Sequence, residues 1–384
     1  RYKIACRGRR TSEKEHCLKV FAALQAFRRA SEIPGGTDGW GPLDGMQRAL
    51  RHLGKADGAL KERVDVLKKM GTLRPEDGKL FYRLGTCLQE LGGRNDEAVK
   101  ALEHHLEIVG NCGWKSAHTQ HWLAMLKGQT PKTAPAEYVA SLFDFYAEKF
   151  EDHLVKHLQY CTPGALLEDL CTVVAMGNMP ASTVRRAADL GAGTGLLGPL
   201  LCEKLGMPVQ RLEGVDLSAE MLRRAVPKAC YDLLLAADLL QVFRPVEVAR
   251  SAAAQFTSRE VCILPPSDGT NHGPEAPTEE EDFFDLVAAA DVFVYIGDLS
   301  EVFEETRRWM AAGGIFGFSV ESAKEAVCPK GYTLCDTGRF AHRPEYIESL
   351  AAQHGFHVER ARDLVLRQNA GQPVHGRLFV LRAF

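Results

Sequence analysis

The chain has 384 residues, 45% of them hydrophobic and 25% charged, with a net charge of -3 and a mean hydropathy of -0.18. That length allows two or three domains, each able to bury a core without disulfides, and the composition excludes a low-complexity chain. No apolar run approaches the roughly 18–20 residues of a membrane span, because the most apolar stretch, 283–296, is interrupted by Asp285 and Asp291.

Eleven cysteines, an odd number, are scattered without a C-x-x-C pair or a zinc-spaced cluster. This pattern predicts reduced thiols in an intracellular, by default cytoplasmic, protein and no metal site. Residues 1–135 hold 24 Lys and Arg against 15 Asp and Glu, and the remainder 23 against 35. A basic first part and an acidic second part attract each other as well as they attract outside partners, so nucleic-acid binding is disfavoured. Residues 1–10 form a basic tail, with five basic side chains and no acid, as at a processed end next to an organelle-import segment.

From Thr11 to about Gln129 apolar residues recur at helical spacing between Gly-rich breaks, which predicts an all-helical domain over 11–130. Ser12 and Glu15 have the form of a capping box opening a helix that runs to about Glu32, and 33–42 reads as a loop. The segment 80–102 resembles one tetratricopeptide repeat. Leu84-Gly85 stands at that repeat's Leu-Gly position, and Ala98 and Leu102 fall near its small and large packing positions. Gly92-Gly93 adds a residue to the turn. Since one repeat cannot bury its apolar face, the helices predicted at 59–70 and 116–126 are expected to stack on it as degenerate repeats. An unrelated helical bundle is the alternative.

Residues 129–136 read as a linker, and 138–160 as an amphipathic helical stretch. Beyond Thr183 short apolar runs alternate with helical segments, which predicts an α/β domain over 131–384. Strands are expected near 186–190, 211–216, 233–237, 284–290, 315–320, 363–368 and 374–381. The last two leave room only for an antiparallel hairpin. Residues 245–282, Pro/Gly-rich and then acidic, break the alternation as an inserted loop. The fold class is α/β, a Rossmann-like seven-stranded sheet with a C-terminal antiparallel hairpin, preceded by an all-α repeat-like domain.

The sharpest motif is Asp189-Leu-Gly-Ala-Gly-Thr-Gly, a strand running into a glycine turn and then a helix. Gly191, Gly193 and Gly195 permit a tight turn and remove Cβ atoms where a ligand approaches the backbone, as a nucleoside-containing ligand requires. The G-x-G-x-G spacing differs from the G-x-G-x-x-G of dinucleotide sites, which disfavours a nicotinamide-dependent oxidoreductase.

The motif resembles motif I of the class I S-adenosylmethionine-dependent methyltransferases, and later segments resemble that family in order. The resemblance implies that Asp216, ending the second strand in Glu213-Gly-Val-Asp, accepts hydrogen bonds from both ribose hydroxyls. It implies an adenine clamp at Asp238 and Leu239, and a backbone at Ala290 and Asp291 that holds the methionine end. Ala192, Thr194, Leu217 and Met221 complete the implied S-adenosylmethionine site, with Tyr146 covering it. With 142–154, 338–342 and the repeat-like first domain included, the chain is similar to methyltransferases bearing an N-terminal tetratricopeptide region. That resemblance implies the reaction but not the acceptor.

Duller roles stand beside these. Asp216 could cap the helix at Ser218, Asp238 could be a turn residue, Tyr146 and Phe150 could be core, and the charges over 144–153 a solvated face. For the acceptor, His342 is the candidate base, Arg339 a bidentate partner for an acidic group, and Tyr332 or Tyr295 an orienting hydroxyl. His342 and Arg339 could equally anchor their loop to Glu321 or Asp298. A small organic acceptor is favoured over a protein, the loop with Tyr332, Arg339 and His342 suiting an acidic molecule, while the repeat surface suits a protein partner. A scaffold that keeps this fold without turnover is the main alternative.

Overall fold

The structure is a computed structural model that describes residues 11–32, 39–54, 58–111, 113–152, 160–176, 182–243, 261–263, 283–323, 328–369 and 371–384. The basic tail and most of the 245–282 insertion lie outside the described residues. The chain divides into two compact units, one running to Lys127 and the other from Gly128 to Phe384. Among the described residues no helix is long and apolar enough to cross a membrane.

The first unit contains helices α1 (Thr11–Ser31), α2 (Trp40–Leu53), α3 (Ala59–Leu73), α4 (Gly78–Leu91), α5 (Asn95–Val109) and α6 (Trp114–Leu126). Each packs on its neighbour in the chain, around Leu50, Val64, Leu67, Met70, Leu84 and Leu88. A Cβ at Gly85 would lie 2.5 Å from the Leu102 side chain, so glycine there lets α4 and α5 approach closely. Two local expectations change. Helix α1 begins at Thr11, one residue before the expected cap at Ser12. Helix α2 starts at Trp40 inside the expected loop and holds Pro42 in its first turn, where a missing N–H breaks no intrahelical bond.

The second unit opens with α7 (Ala136–Tyr146), a 3₁₀ turn (Ala147–Lys149) and α8 (Thr162–Ala175). There follow β1 (Ala187–Leu190), α9 (Gly198–Lys204), β2 (Leu212–Asp216), α10 (Ala219–Ala225), β3 (Leu233–Ala236), β4 (Cys262–Ile263), β5 (Phe284–Ala289) and α11 (Ser300–Arg308). The chain ends with β6 (Met310–Glu321), β7 (Tyr332–Leu334), β8 (Phe340–His342), α12 (Pro344–Gln353), β9 (Phe356–Asn369) and β10 (Gln372–Ala383).

The main sheet has the order β4-β3-β2-β1-β5-β6-β10-β9. It is parallel from β4 to β6, and β10 runs antiparallel between β6 and β9. All seven expected strands are present, in a Rossmann-like fold. The two-residue β4, from the segment read as an inserted loop, extends the edge beside β3. Alternate residues feed opposite faces: Leu190, Val215, Phe316 and Phe379 pack on one, and Leu212, Ala236, Leu286 and Leu378 on the other. Helix α8 is pinned to β9 by the buried carboxylate of Asp169, which accepts from Arg360 Nε at 2.6 Å and Arg362 Nε at 3.0 Å.

Three features at the carboxyl edge were not read from the sequence. Residues 332–342, expected as a loop, form the antiparallel pair β7–β8, in which Tyr332 faces His342. Strands of three residues are too short for periodicity to register. Second, the β9–β10 ladder shifts register between Val374 and His375, and a Cβ at Gly376 would sit 2.5 Å from the Val320 carbonyl. Glycine permits that close approach. Third, Thr133 bridges Ile296, and the Lys132 carbonyl accepts from the amides of Gly297 and Asp298, both at 2.8 Å. This pairing fixes the start of α7 to the segment after β5.

Candidate active site

The chain reverses its direction across the sheet between β1 and β5, and such a switch point opens a crevice at the carboxyl ends of the strands. A cavity of about 600 Å³ occupies it, lined by residues from Thr133 to Asn369 of the second unit. That is within the size range of small-molecule sites.

One wall is the glycine turn after β1. Gly191, Gly193 and Gly195 have φ of +66°, +56° and +79°, the left-handed region that favours glycine. Their side-chain-free positions serve different ends, which refines the expectation. A Cβ at Gly191 would lie 2.4 Å from Val292, and one at Gly195 would lie 3.0 Å from Ala225, so these two admit the chain's own packing. A Cβ at Gly193 would meet nothing nearer than the Met221 methyl at 3.4 Å. Gly191 and Gly193 line the cavity, whereas Ala192, Thr194, Gly195 and Asp189 do not.

Asp216 ends β2 facing the cavity. Its Oδ2 accepts from the Gly193 amide at 3.0 Å and its Oδ1 from the Ser218 amide at 2.8 Å. The cap of α10 is Ser218, whose hydroxyl accepts from the Met221 amide, and not Asp216. Each Asp216 oxygen keeps a second lone pair. Burial pushes the carboxyl up to about 6, against the lowering effect of the two amides. Leu217, Met221, Asp238 and Leu239 continue this wall, with Asp238 Oδ1 also accepting from the Leu240 amide at 3.0 Å.

Behind the turn, Asp189 is a supporting group. It is buried and accepts from the Tyr231 hydroxyl at 2.7 Å. Burial raises its carboxyl from 3.8 to about 7, with Tyr231 lowering it and Asp216 raising it. A raised acid pKa in the folded state costs stability as pH climbs from about 4 to 7. Asp189→Asn keeps an acceptor for Tyr231 and removes that cost. It is expected to raise Tm by several degrees at pH 8, about 2 kcal/mol, and by much less at pH 5. Equal shifts at both pH values in thermal melts would contradict this account.

The roof comes from α7 and the turn after it. Val139, Leu142, Phe143, Tyr146 and Phe150 line the cavity. Phe143 meets Tyr295 edge-on at 5.5 Å, and Tyr146 meets Phe150 at 5.7 Å. The expected solvated face over 144–153 holds at Asp144, Glu148 and Lys149, which are exposed, and Asp144 Oδ1 also accepts from the Ser218 hydroxyl at 2.5 Å. That bond ties the roof to the loop bearing Asp216.

The third wall lies beyond β5. Ala290 and Asp291 line it, and Asp291 has φ +63°, unusual for a side-chain-bearing residue. Its amide donates to Ser319 Oγ at 2.7 Å, and both its carboxylate oxygens accept from Arg367 Nη1 at 2.8 Å. Arg367 Nη2 also donates to Glu321. Tyr295 and Arg339 complete this end together with Tyr160, Gln368 and Asn369. The sequence reading missed Tyr160 and Arg367. The only local signal for Arg367 was a charged residue at the end of a short apolar run.

His342 is the main correction. It is fully buried and does not line the cavity. Its Nε2 donates to the Gly297 carbonyl at 3.0 Å, its ring stacks on Tyr346, and burial holds it down to about 4. A neutral imidazole whose Nε2 proton is committed to a carbonyl anchors β8 to the segment after β5. It is not a base for a substrate in the cavity.

No protein-family model matches the chain, and no curated protein matches it. Among solved structures it is similar to magnesium protoporphyrin IX methyltransferase (ChlM) from Synechocystis PCC 6803 with bound SAH. The identity is 13%, over 64% of this chain and 96% of that one, with a TM-score of 0.37. It is similar to an S-adenosylmethionine-dependent methyltransferase from Mesorhizobium loti at 18% identity, over 56% and 99%, with a TM-score of 0.34. A third is the N-methyltransferase NodS from Bradyrhizobium japonicum WM9 in complex with S-adenosyl-L-homocysteine, at 14% identity over 56% and 86%, TM-score 0.32.

Proposed function

We propose that the protein is an S-adenosylmethionine-dependent methyltransferase that acts on a small organic acceptor. The observation that supports this best is Asp216, a carboxylate held by two backbone amides at the edge of a cavity and beside the side-chain-free Gly193. An acceptor-only group in that position suits a pair of sugar hydroxyls. Asp238 and the Leu239 backbone would receive the adenine, with Met221 and Leu217 against the base and sugar. Ala290 and Asp291 would hold the amino-acid end. The bound cofactor supplies an electrophilic methyl on a sulfonium.

The chain's own contribution is alignment and exclusion of water. The aromatic roof closes the site, and Gly193, Asp216 and the Asp291 turn fix the donor's orientation so that an acceptor lone pair meets the methyl in line. Proximity is then the main catalytic term. Loss of the positive charge on sulfur during transfer is not penalised by a dry, aromatic site. The helical first unit, read as repeat-like, offers a surface for a protein partner.

Calorimetric titration with S-adenosylmethionine tests the proposal. Saturable heat and a higher Tm are expected, with no response to NAD or NADP. Absence of both heat and stabilisation would favour a non-catalytic scaffold. Incubation with labelled methyl donor and a lysate should then place the label in small molecules rather than protein bands.

A further inference from the structure

Two arginines and two carboxyl groups, Arg339, Arg367, Asp291 and Glu321, meet at the far end of the cavity, and they are not equally occupied. Arg367 also lines the cavity but is 2% exposed, and its two terminal nitrogens are taken: Nη1 donates to both oxygens of Asp291, and Nη2 to Glu321. Arg339, brought in just before β8, has a side chain that is 29% exposed and lines the cavity. Its nearest carboxylate is Glu321, at 3.8 Å from Nη1, beyond hydrogen-bond distance, and that same Oε1 already accepts from Arg367. Tyr295, which also lines the cavity, lies near enough to Arg339 to favour the charged guanidinium.

We propose that this end of the cavity is a subsite for the carboxylate of an aromatic monocarboxylic acceptor, which Arg339 receives with the Tyr295 hydroxyl beside it. The proposal rests on the methyltransferase reading above and specifies its substrate class. A guanidinium presents paired N–H donors that match the two oxygens of a carboxylate. Charge disfavours a dianion: the two carboxylates formally balance Arg339 and Arg367, so a monoanion adds one unbalanced charge and a dianionic phosphate two, in a cavity where charge is poorly screened.

The acceptor's body is selected by the roof. Phe143, Tyr146 and Phe150 present ring faces and edges, which favour a flat apolar group. The carboxylate is the anchor, so the methyl goes to another atom of the acceptor. There a lone pair forms the bond to the methyl carbon as the carbon–sulfur bond breaks and sulfur keeps the electron pair. A proton on the accepting oxygen or nitrogen leaves to water.

The test uses the full chain loaded with S-adenosylhomocysteine. Binding of that product is measured first, and its failure counts against the methyltransferase reading alone. Phenylacetate, indole-3-acetate and 4-hydroxybenzoate are then titrated by calorimetry, each against its neutral amide, with phenylphosphonate as the dianion. At least one carboxylate is expected to bind ten times or more tighter than its amide and than the phosphonate. Arg339→Gln should abolish that preference while affinity for S-adenosylhomocysteine stays unchanged, and Arg339→Lys should keep part of it. Amides or phosphonate binding as well as carboxylates, or no carboxylate bound by the loaded protein, overturns the proposal. So does a carboxylate preference that survives in both variants, or an Arg339→Gln protein whose loss is in S-adenosylhomocysteine binding, since Arg339 would then hold the donor's own carboxylate.

Discussion

Asp216→Ala is expected to weaken S-adenosylmethionine binding by about 30- to 150-fold, roughly 2–3 kcal/mol. The substitution removes the acceptor for the sugar and also leaves the Gly193 and Ser218 amides without their partner. The effect has a pH signature. The Asp216 carboxyl lies at about 6 because burial raises it more than the two amides lower it. Sugar hydroxyls donate to the ionised form, so binding favours the carboxylate and releases a proton when the pH is below that value. Affinity should be flat above pH 7 and fall up to tenfold per unit as pH drops below about 6. Asp216→Asn should bind weakly with that pH dependence removed. Calorimetry at pH 5.5, 6.5 and 7.5 checks both, and unchanged affinity in Asp216→Ala would remove the sugar assignment.

Arg367→Met is expected to be the most damaging single change to stability, at about 3–5 kcal/mol, or roughly 10 °C in Tm for a unit of this size. The methionine fills similar space, but Asp291 and Glu321 lose the cation between them and stay mostly buried. The Glu321 carboxyl is already raised by burial, and Arg367 is the largest influence lowering it. In the variant it takes a proton more readily, so the loss in Tm should be smaller at pH 5 than at pH 7.5. A uniform loss across that range would mean that packing, not the orphaned carboxylates, sets the cost. Because Asp291 holds its left-handed backbone beside the cavity, methyl-donor affinity should fall along with stability.

The two effects differ in how visible they were beforehand. Asp216 follows a glycine turn and ends a strand, and both features are local: a strand of apolar residues, three closely spaced glycines, an acid at the next strand's end. Arg367 sits in a strand that, among the described residues, pairs only with β10, yet its partners come from the ends of β5 and β6. No short-range pattern encodes that meeting. It depends on the register shift at Val374 and the glycine at 376, which let β10 press against Val320. The same holds for Asp144, which stays exposed on its helix face while the fold brings Ser218 to it.

His342 marks the limit most clearly. A histidine between a strand and a helix at the carboxyl edge had the right address for a base. Its direction was set by β7–β8 pairing and by the Gly297 carbonyl, and these turn the ring into the protein.

The amino-acid sequence by itself determined the alternation of strand and helix, the final hairpin, the glycine turn and the acid that follows it. Hydrophobic periodicity and backbone sterics act over a few neighbouring residues and need no distant partner. Only the tertiary structure decided which charged groups pair, which histidine is sealed in and which arginines line the cavity. Burial and ion pairing depend on what the rest of the chain places within a few ångströms, and those neighbours lie from tens to more than seventy residues away.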